Sequence, residues 1–172
     1  MPPDAAAPRI RDARRDDRDR IREVTLAAYT EYATQMPELW EGYRANILAT
    51  LQDPGPAEQI VAEQDRVIVG TVLLYPMGAG LPSTAGAGSP WPEVRLLAVA
   101  PAGRGHGVGE GLMQECVRRA RARGATALTL HTTPMMRAAL RLYGRLGFVR
   151  APDLDVRVAP SLTVEGYRLA LG

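Results

Sequence analysis

Hydrophobic positions change their period several times along the chain, and each change marks an element. Arg9–Arg14 predicts a short strand. Behind it Asp16 or Asp17 can cap a helix on which Ile21, Val24, Ala28, Tyr29 and Tyr32 share one face. Pro37 can open a second helix, carried by Trp40, Tyr43, Ile47 and Leu51 and ended by the Pro- and Gly-containing stretch 53–56. Two apolar runs, 58–63 and 67–76, flank Gln64-Asp65-Arg66 and predict a β-hairpin. Residues 77–90, rich in Gly, Ala, Ser and Pro, read as a mobile loop before the strand pattern of 91–100. A helix follows with Leu112, Met113, Cys116, Val117 and Ala120 on one face and Arg118, Arg119, Arg121 and Arg123 on the other, stopped by Gly124. Residues 126–132 predict a buried strand. Thr133-Pro134 begins a helix with Met136, Ala139, Leu140 and Tyr143 on its face, and Gly147-Phe148 caps it. Segments 148–152 and 163–171 predict closing strands.

Between the strand at 91–100 and its helix lie five glycines, Gly103, Gly105, Gly107, Gly109 and Gly111. A glycine-rich turn leading into a helix N-terminus is an anion site, because the first N–H groups of the helix have no internal partner and the backbone can approach closely. The nucleoside-triphosphate loop pattern requires a lysine, and all 21 basic side chains of this chain are arginines. The dinucleotide fingerprint requires an early strand and an acid about 20 residues on, where this chain has Gly124-Ala125.

Composition narrows the class further. With 172 residues, 46% hydrophobic and 23% charged, the chain has the length and composition of one globular domain. A net charge of +2 gives little reason to expect nucleic acid or membrane binding. The single cysteine, Cys116, excludes an internal disulfide framework and fits a reducing compartment. The N-terminus lacks a signal-peptide pattern, and no run of about 18 apolar residues is free of charges and breakers. These features predict a cytoplasmic enzyme-sized domain over 9–172 behind a disordered tail at 1–8.

The third loop pattern fits. Arg104-Gly105-His106-Gly107-Val108-Gly109 reads R-x-x-G-x-G after Leu96-Leu97-Ala98-Val99-Ala100-Pro101, and resembles the acetyl-CoA signature of the GNAT (Gcn5-related N-acetyltransferase) superfamily. Arg141–Ala151, with its Leu142-Tyr143 and Gly147-Phe148 pairs, resembles that family's second landmark about 35 residues on. The resemblance implies an α/β (α+β) fold with a mixed, mostly antiparallel central sheet of about six to seven strands and about four helices. It implies acetyl transfer from acetyl-CoA to a primary amine of a small molecule or peptide in a ternary complex, without a metal. A homodimer is compatible with it.

Site residues follow from the same resemblance. The backbone of Leu97, Ala98 and Val99 would pair with the pantetheine arm, and an N–H there would face the thioester oxygen. The loop amides of Arg104 to Gly109, His106 and Val108 included, would wrap the pyrophosphate, and Arg104 would add charge unless it is simply a solvated surface arginine. Tyr143 would be the general acid, the alternative being a helix-face aromatic that fills core. Glu93, four residues before Leu97, would be the general base, the alternative being a surface glutamate where the strand begins. His131 is a second base candidate or a hydrogen-bonded structural histidine. Cys116 belongs to the core. Where many members carry asparagine, seven residues before the tyrosine, this chain has Met136. Tyr29, Tyr32, Glu93 and His131 are candidate acceptor-site residues, although core packing also explains the tyrosines. Glu31 and Glu38 would suit a cationic amine. The competing functions are a non-catalytic acyl-CoA-binding regulatory module and an arginine-driven nucleic-acid binder.

Overall fold

The computed structural model describes residues 6–79 and 88–172, so most of the predicted loop 77–90 and of the predicted tail lies outside the described residues. The described residues form eight strands and four α-helices. In chain order they are β1 (Arg9–Asp12), α1 (Arg18–Thr30), α2 (Trp40–Gln52), β2 (Glu58–Gln64), β3 (Val67–Tyr75), β4 (Glu93–Val99), α3 (Val108–Ala122), β5 (Ala127–Thr132), α4 (Arg137–Leu146), β6 (Val149–Arg150), β7 (Val156–Ala159) and β8 (Leu162–Ala170). The strands form one mixed sheet in the order β1-β2-β3-β4-β5-β8-β6, with β7 paired on β8. Strand β4 runs parallel to β5, whereas β1 against β2 and β5, β6 and β7 against β8 are antiparallel.

The chain divides into two compact units. The first comprises the chain up to Leu73 with Leu96–Glu115, and the second Leu74–Arg95 with Cys116–Gly172. In the first, Ile21 and Val24 of α1 pack with Val61, Ile68, Ala98 and Ala100, which is what their helical spacing predicts. The hairpin turn is tighter than expected. Asp65 and Arg66, with φ of +49° and +66°, form a two-residue turn, and Gln64 ends β2. The Asp17 side chain does not cap α1. It accepts from the Arg14 N–H at 2.6 Å and from the Arg11 guanidinium at 2.7 Å, and Arg11 also binds Glu63 at 2.7 Å. These bonds hold the Asp17 carboxyl below its usual range, with Arg11 the largest cause. Tyr32 and Pro37 lie in a run of turns at 31–39, and the second helix starts only at Trp40.

In the second unit β5 is central, and Leu128 and Leu130 are fully buried. Helix α4 starts at Arg137 rather than at Pro134. It ends as predicted, with Gly147 at φ +94° and the Phe148 N–H donating to the Tyr143 carbonyl at 3.0 Å. The closing segment holds one strand more than expected. β6 is only two residues long, and β7 forms a hairpin with β8. The helix after the glycines buries Leu112, Met113, Cys116 and Ala120, as its pattern predicts. Each fully buried Leu or Met there contributes about 1.5–3 kcal/mol.

Candidate active site

The first unit carries the loop. Gly105 and Gly107 have φ of +77° and +74°, a region that side chains rarely adopt, and a Cβ at either would meet nothing within 4 Å. Among the described residues, the N–H groups of Gly105, His106, Gly107, Val108 and Gly109 donate to no backbone carbonyl, and the first bond of α3 is Gly111 N–H to Gly107 O at 2.9 Å. The loop therefore presents consecutive open amides at the positive end of a 15-residue helix, a fit for a phosphate.

Two flanking contacts were not foreseen. The Arg104 guanidinium binds the Glu31 carboxylate at 2.7 Å, so an acid considered for the acceptor amine is paired with the loop's cation. Tyr32 lies by this pair, its hydroxyl pushed up first by burial and then by the Glu31 charge. Tyr29 donates its hydroxyl to the Leu97 carbonyl at 3.2 Å and packs edge-on against Tyr32 and Tyr43. That contact gives Tyr29 a role at β4 itself, beyond filling core. Within β4, Ala98 is buried and Leu97 and Val99 are half-buried. Leu96 just before them has φ +52°, a left-handed residue inside a strand that costs about 1–3 kcal/mol.

The second unit brings Glu93 and His131 together, 38 residues apart in sequence. Glu93↔Thr129 and Val94↔Leu130 are the parallel partners of β4 and β5, so Glu93, Thr129 and His131 share one face. Glu93 is 3% exposed and its Oε1 meets His131 Nδ1 directly. His131 Nε2 lies 2.6 Å from the Leu154 carbonyl. A carbonyl only accepts, so Nε2 carries a hydrogen, and one proton sits between Nδ1 and Glu93. Burial pushes the imidazolium down, but the Glu93 hydrogen bond and charge and the Leu154 carbonyl outweigh it, and the net direction is up. His131 and Glu93 therefore share one proton, and the pair carries no net charge.

Gly166 makes this corner possible. It lies opposite His131 on β8, and a Cβ there would come within 2.4 Å of Leu154 Cβ and 2.9 Å of the Ala151 carbonyl. Without a side chain at 166 the turn 152–154 can lie close enough for Leu154 to reach the imidazole. Asp155 fixes the turn by accepting from the Gly166 N–H at 2.9 Å and from Arg150 at 2.6 Å, and mainly Arg150 lowers its carboxyl to about 2. The sequence singled out neither Gly166 nor Leu154. A glycine within the 163–171 strand pattern was the available signal. Tyr143 is buried in α4, its ring 5.8 Å from that of Phe148. Met136 is buried just before that helix and accepts from Thr132 Oγ1 at 3.4 Å. His106 is exposed on the loop.

Among the described residues no group of three His, Cys, Asp or Glu side chains could hold a metal ion, and no helix is long and apolar enough to cross a membrane. The acetyltransferase (GNAT) family model covers residues 19–148, and the chain belongs to that family. Similar solved structures include a GNAT acetyltransferase from Brucella melitensis in complex with acetyl-CoA, 27% identical, with a TM-score of 0.60 over 96% of this chain and 88% of that one. A GNAT acetyltransferase from Staphylococcus aureus has a TM-score of 0.68 at 18% identity, over 96% of this chain and 100% of the other. A ribosomal-protein-alanine N-acetyltransferase from Brucella melitensis has a TM-score of 0.63 at 20% identity, over 95% and 99%. No curated protein matches the sequence.

Proposed function

We propose that this chain transfers acetyl from acetyl-CoA to a primary amine of a small molecule or peptide, by direct attack in a ternary complex. The observation that carries the reading is the open amide loop at Gly105–Gly109 within a GNAT domain. Acetyl-CoA would supply the activated acyl group. The loop amides would hold its pyrophosphate, and the backbone of Leu97 to Val99 would hold the pantetheine and the thioester oxygen, a donor worth about 3 kcal/mol in related acyl chemistry. Holding both reactants lowers the barrier by about 7–11 kcal/mol.

Proton handling falls to the second unit. Both imidazole nitrogens of His131 are engaged, so it has no lone pair to offer, and Glu93 is the carboxylate left to take the amine proton, directly or through water. His131 positions Glu93. Tyr143, through its hydroxyl, would return a proton to the leaving thiolate. The test is thiol release from acetyl-CoA over a panel of amines. Wild type should turn over, and Tyr143→Phe should lower kcat about 10²-fold with little change in the KM for acetyl-CoA. Acetyl-CoA binding without thiol release for any amine would leave the non-catalytic acyl-CoA module standing instead.

A further inference from the structure

The face that carries Glu93 also carries a cation the proposed chemistry does not use. Arg95 lies two residues along β4 and projects to the same side. Its guanidinium stacks on the ring of Tyr75, 5.8 Å from the centroid, and Tyr75 is 4% exposed. Among the described residues Arg95 has no carboxylate partner. Its neighbours differ. Arg168, on the same face opposite Thr129, binds Asp153 at 2.7 Å and stacks on Trp91, and Arg150 binds Asp155.

The charge count on this face is decisive. Glu93 and His131, with the proton they share, sum to zero, and Arg168 with Asp153 sums to zero. Arg95 remains as an uncompensated positive charge, half-buried, and its charge is felt at His131. A plain alkylammonium would be repelled by such a face. An amine that also carries a carboxylate arrives with no net charge and gives the guanidinium the two-oxygen partner its planar fork matches. The spacing agrees, because side chains two apart on a strand are about 6.5–7 Å apart, within the reach of an amine and a carboxylate a few bonds apart. We propose that Arg95 is the acceptor-recognition residue and that the acceptor is a free amino acid, its carboxylate held by Arg95 and its amine turned toward Glu93.

This inference rests on the acetyl-transfer reading, and the experiment separates the two. The probes are free amino acids and their carboxamides, assayed for thiol release and titrated calorimetrically into the protein with CoA. Wild type should prefer the acids by about tenfold or more in kcat/KM and in binding, the scale of one charge-assisted pair. Arg95→Gln should remove that preference, and Arg95→Lys, which keeps the charge without the fork, should fall between. Equal use of acids and amides by wild type overturns the inference and leaves acetyl transfer standing. An acid-to-amide ratio unchanged in Arg95→Gln, or an equal loss of acetyl-CoA affinity, also overturns it. Binding of amino acids that Arg95→Gln abolishes, with no thiol release, supports Arg95 as a carboxylate site and overturns acetyl transfer.

Discussion

In the loop Arg104–Gly109 the groups on offer are backbone amides, and the charged side chain beside them is already held by Glu31. At Glu93 and His131 the groups on offer are side chains, and the backbone's part is to lock them, through the Leu154 carbonyl and the missing side chain of Gly166. The first region should tolerate changes of charge and fail on changes of φ. The second should tolerate little of either, because its proton is shared by two residues and its geometry by four.

The largest effect is expected where φ is forced. Gly107→Val puts a β-branched residue at φ +74°, and acetyl-CoA affinity should fall about 100-fold or more by calorimetry, with the thermal shift by the ligand lost. Gly107→Asn, which tolerates the left-handed region and keeps the amide, should retain most of the affinity. Equal losses in both variants would mean that side-chain space, not backbone conformation, matters in the loop.

The second region breaks by volume. Gly166→Ala must place its Cβ 2.4 Å from Leu154 Cβ unless the turn moves, and overpacking of this kind costs about 1–3 kcal/mol. Thermal unfolding should report that loss, and the His131 imidazole signal should move as the Leu154 carbonyl withdraws. A variant as stable as wild type, with its imidazole unmoved, would remove Gly166 from the account.

Sequence reasoning reached these regions unequally, for physical reasons. The loop is a local object, and its glycine spacing alone implied an anion site. The Glu93–His131 pair is non-local. Each residue was a candidate, but their contact depends on the parallel register of β4 and β5, which no spacing along the chain encodes. Arg95 was readable in retrospect, since two charged residues two apart on a strand share a face. Helix starts misled twice in the same way. Pro37 and Pro134 each looked like a first helical residue, but each is the second residue of a turn closed by a 3.1 Å bond, from Leu39 N–H to Met36 O and from Met136 N–H to Thr133 O. The helices begin just after those turns, at Trp40 and Arg137. Proline suits both positions, and only the tertiary setting chooses. Asp17 failed as a cap because Arg11, a partner from β1, competes for its carboxylate.

The next effect is a change of sign. The folded-state pKa of His131 is raised, so its protonation stabilises the fold fully below the unfolded value of about 6.5, and that contribution is lost as pH rises through the folded value. Glu93→Gln removes both contributions from Glu93 and leaves burial, the largest, which lowers the pKa. The unfolded chain then holds more protons just below pH 6.5, and the histidine contribution to stability rises with pH there instead of falling, by at most about 1.4 kcal/mol per pH unit for one proton. Denaturant unfolding at several pH values, with the imidazole titrated by NMR, reads both. The same slope in both proteins would mean that Glu93 does not hold the His131 proton.

The smallest effect tests whether the loop relies on its amides. Arg104 and Glu31 are each 46% exposed, and an exposed pair of this kind contributes about 0–1 kcal/mol. Arg104→Gln should therefore leave the melting temperature nearly unchanged and weaken acetyl-CoA binding only several-fold, with a shallower dependence on salt as one cation is lost. Glu31→Gln should do the opposite to affinity, raising it slightly at low salt, because the guanidinium no longer has to leave a carboxylate to reach a phosphate. The double variant should return near the Arg104→Gln value, since Glu31 acts through Arg104. If Arg104→Gln instead costs as much as Gly107→Val, the side chain and not the backbone holds the anion, and both regions of the molecule work through charged side chains.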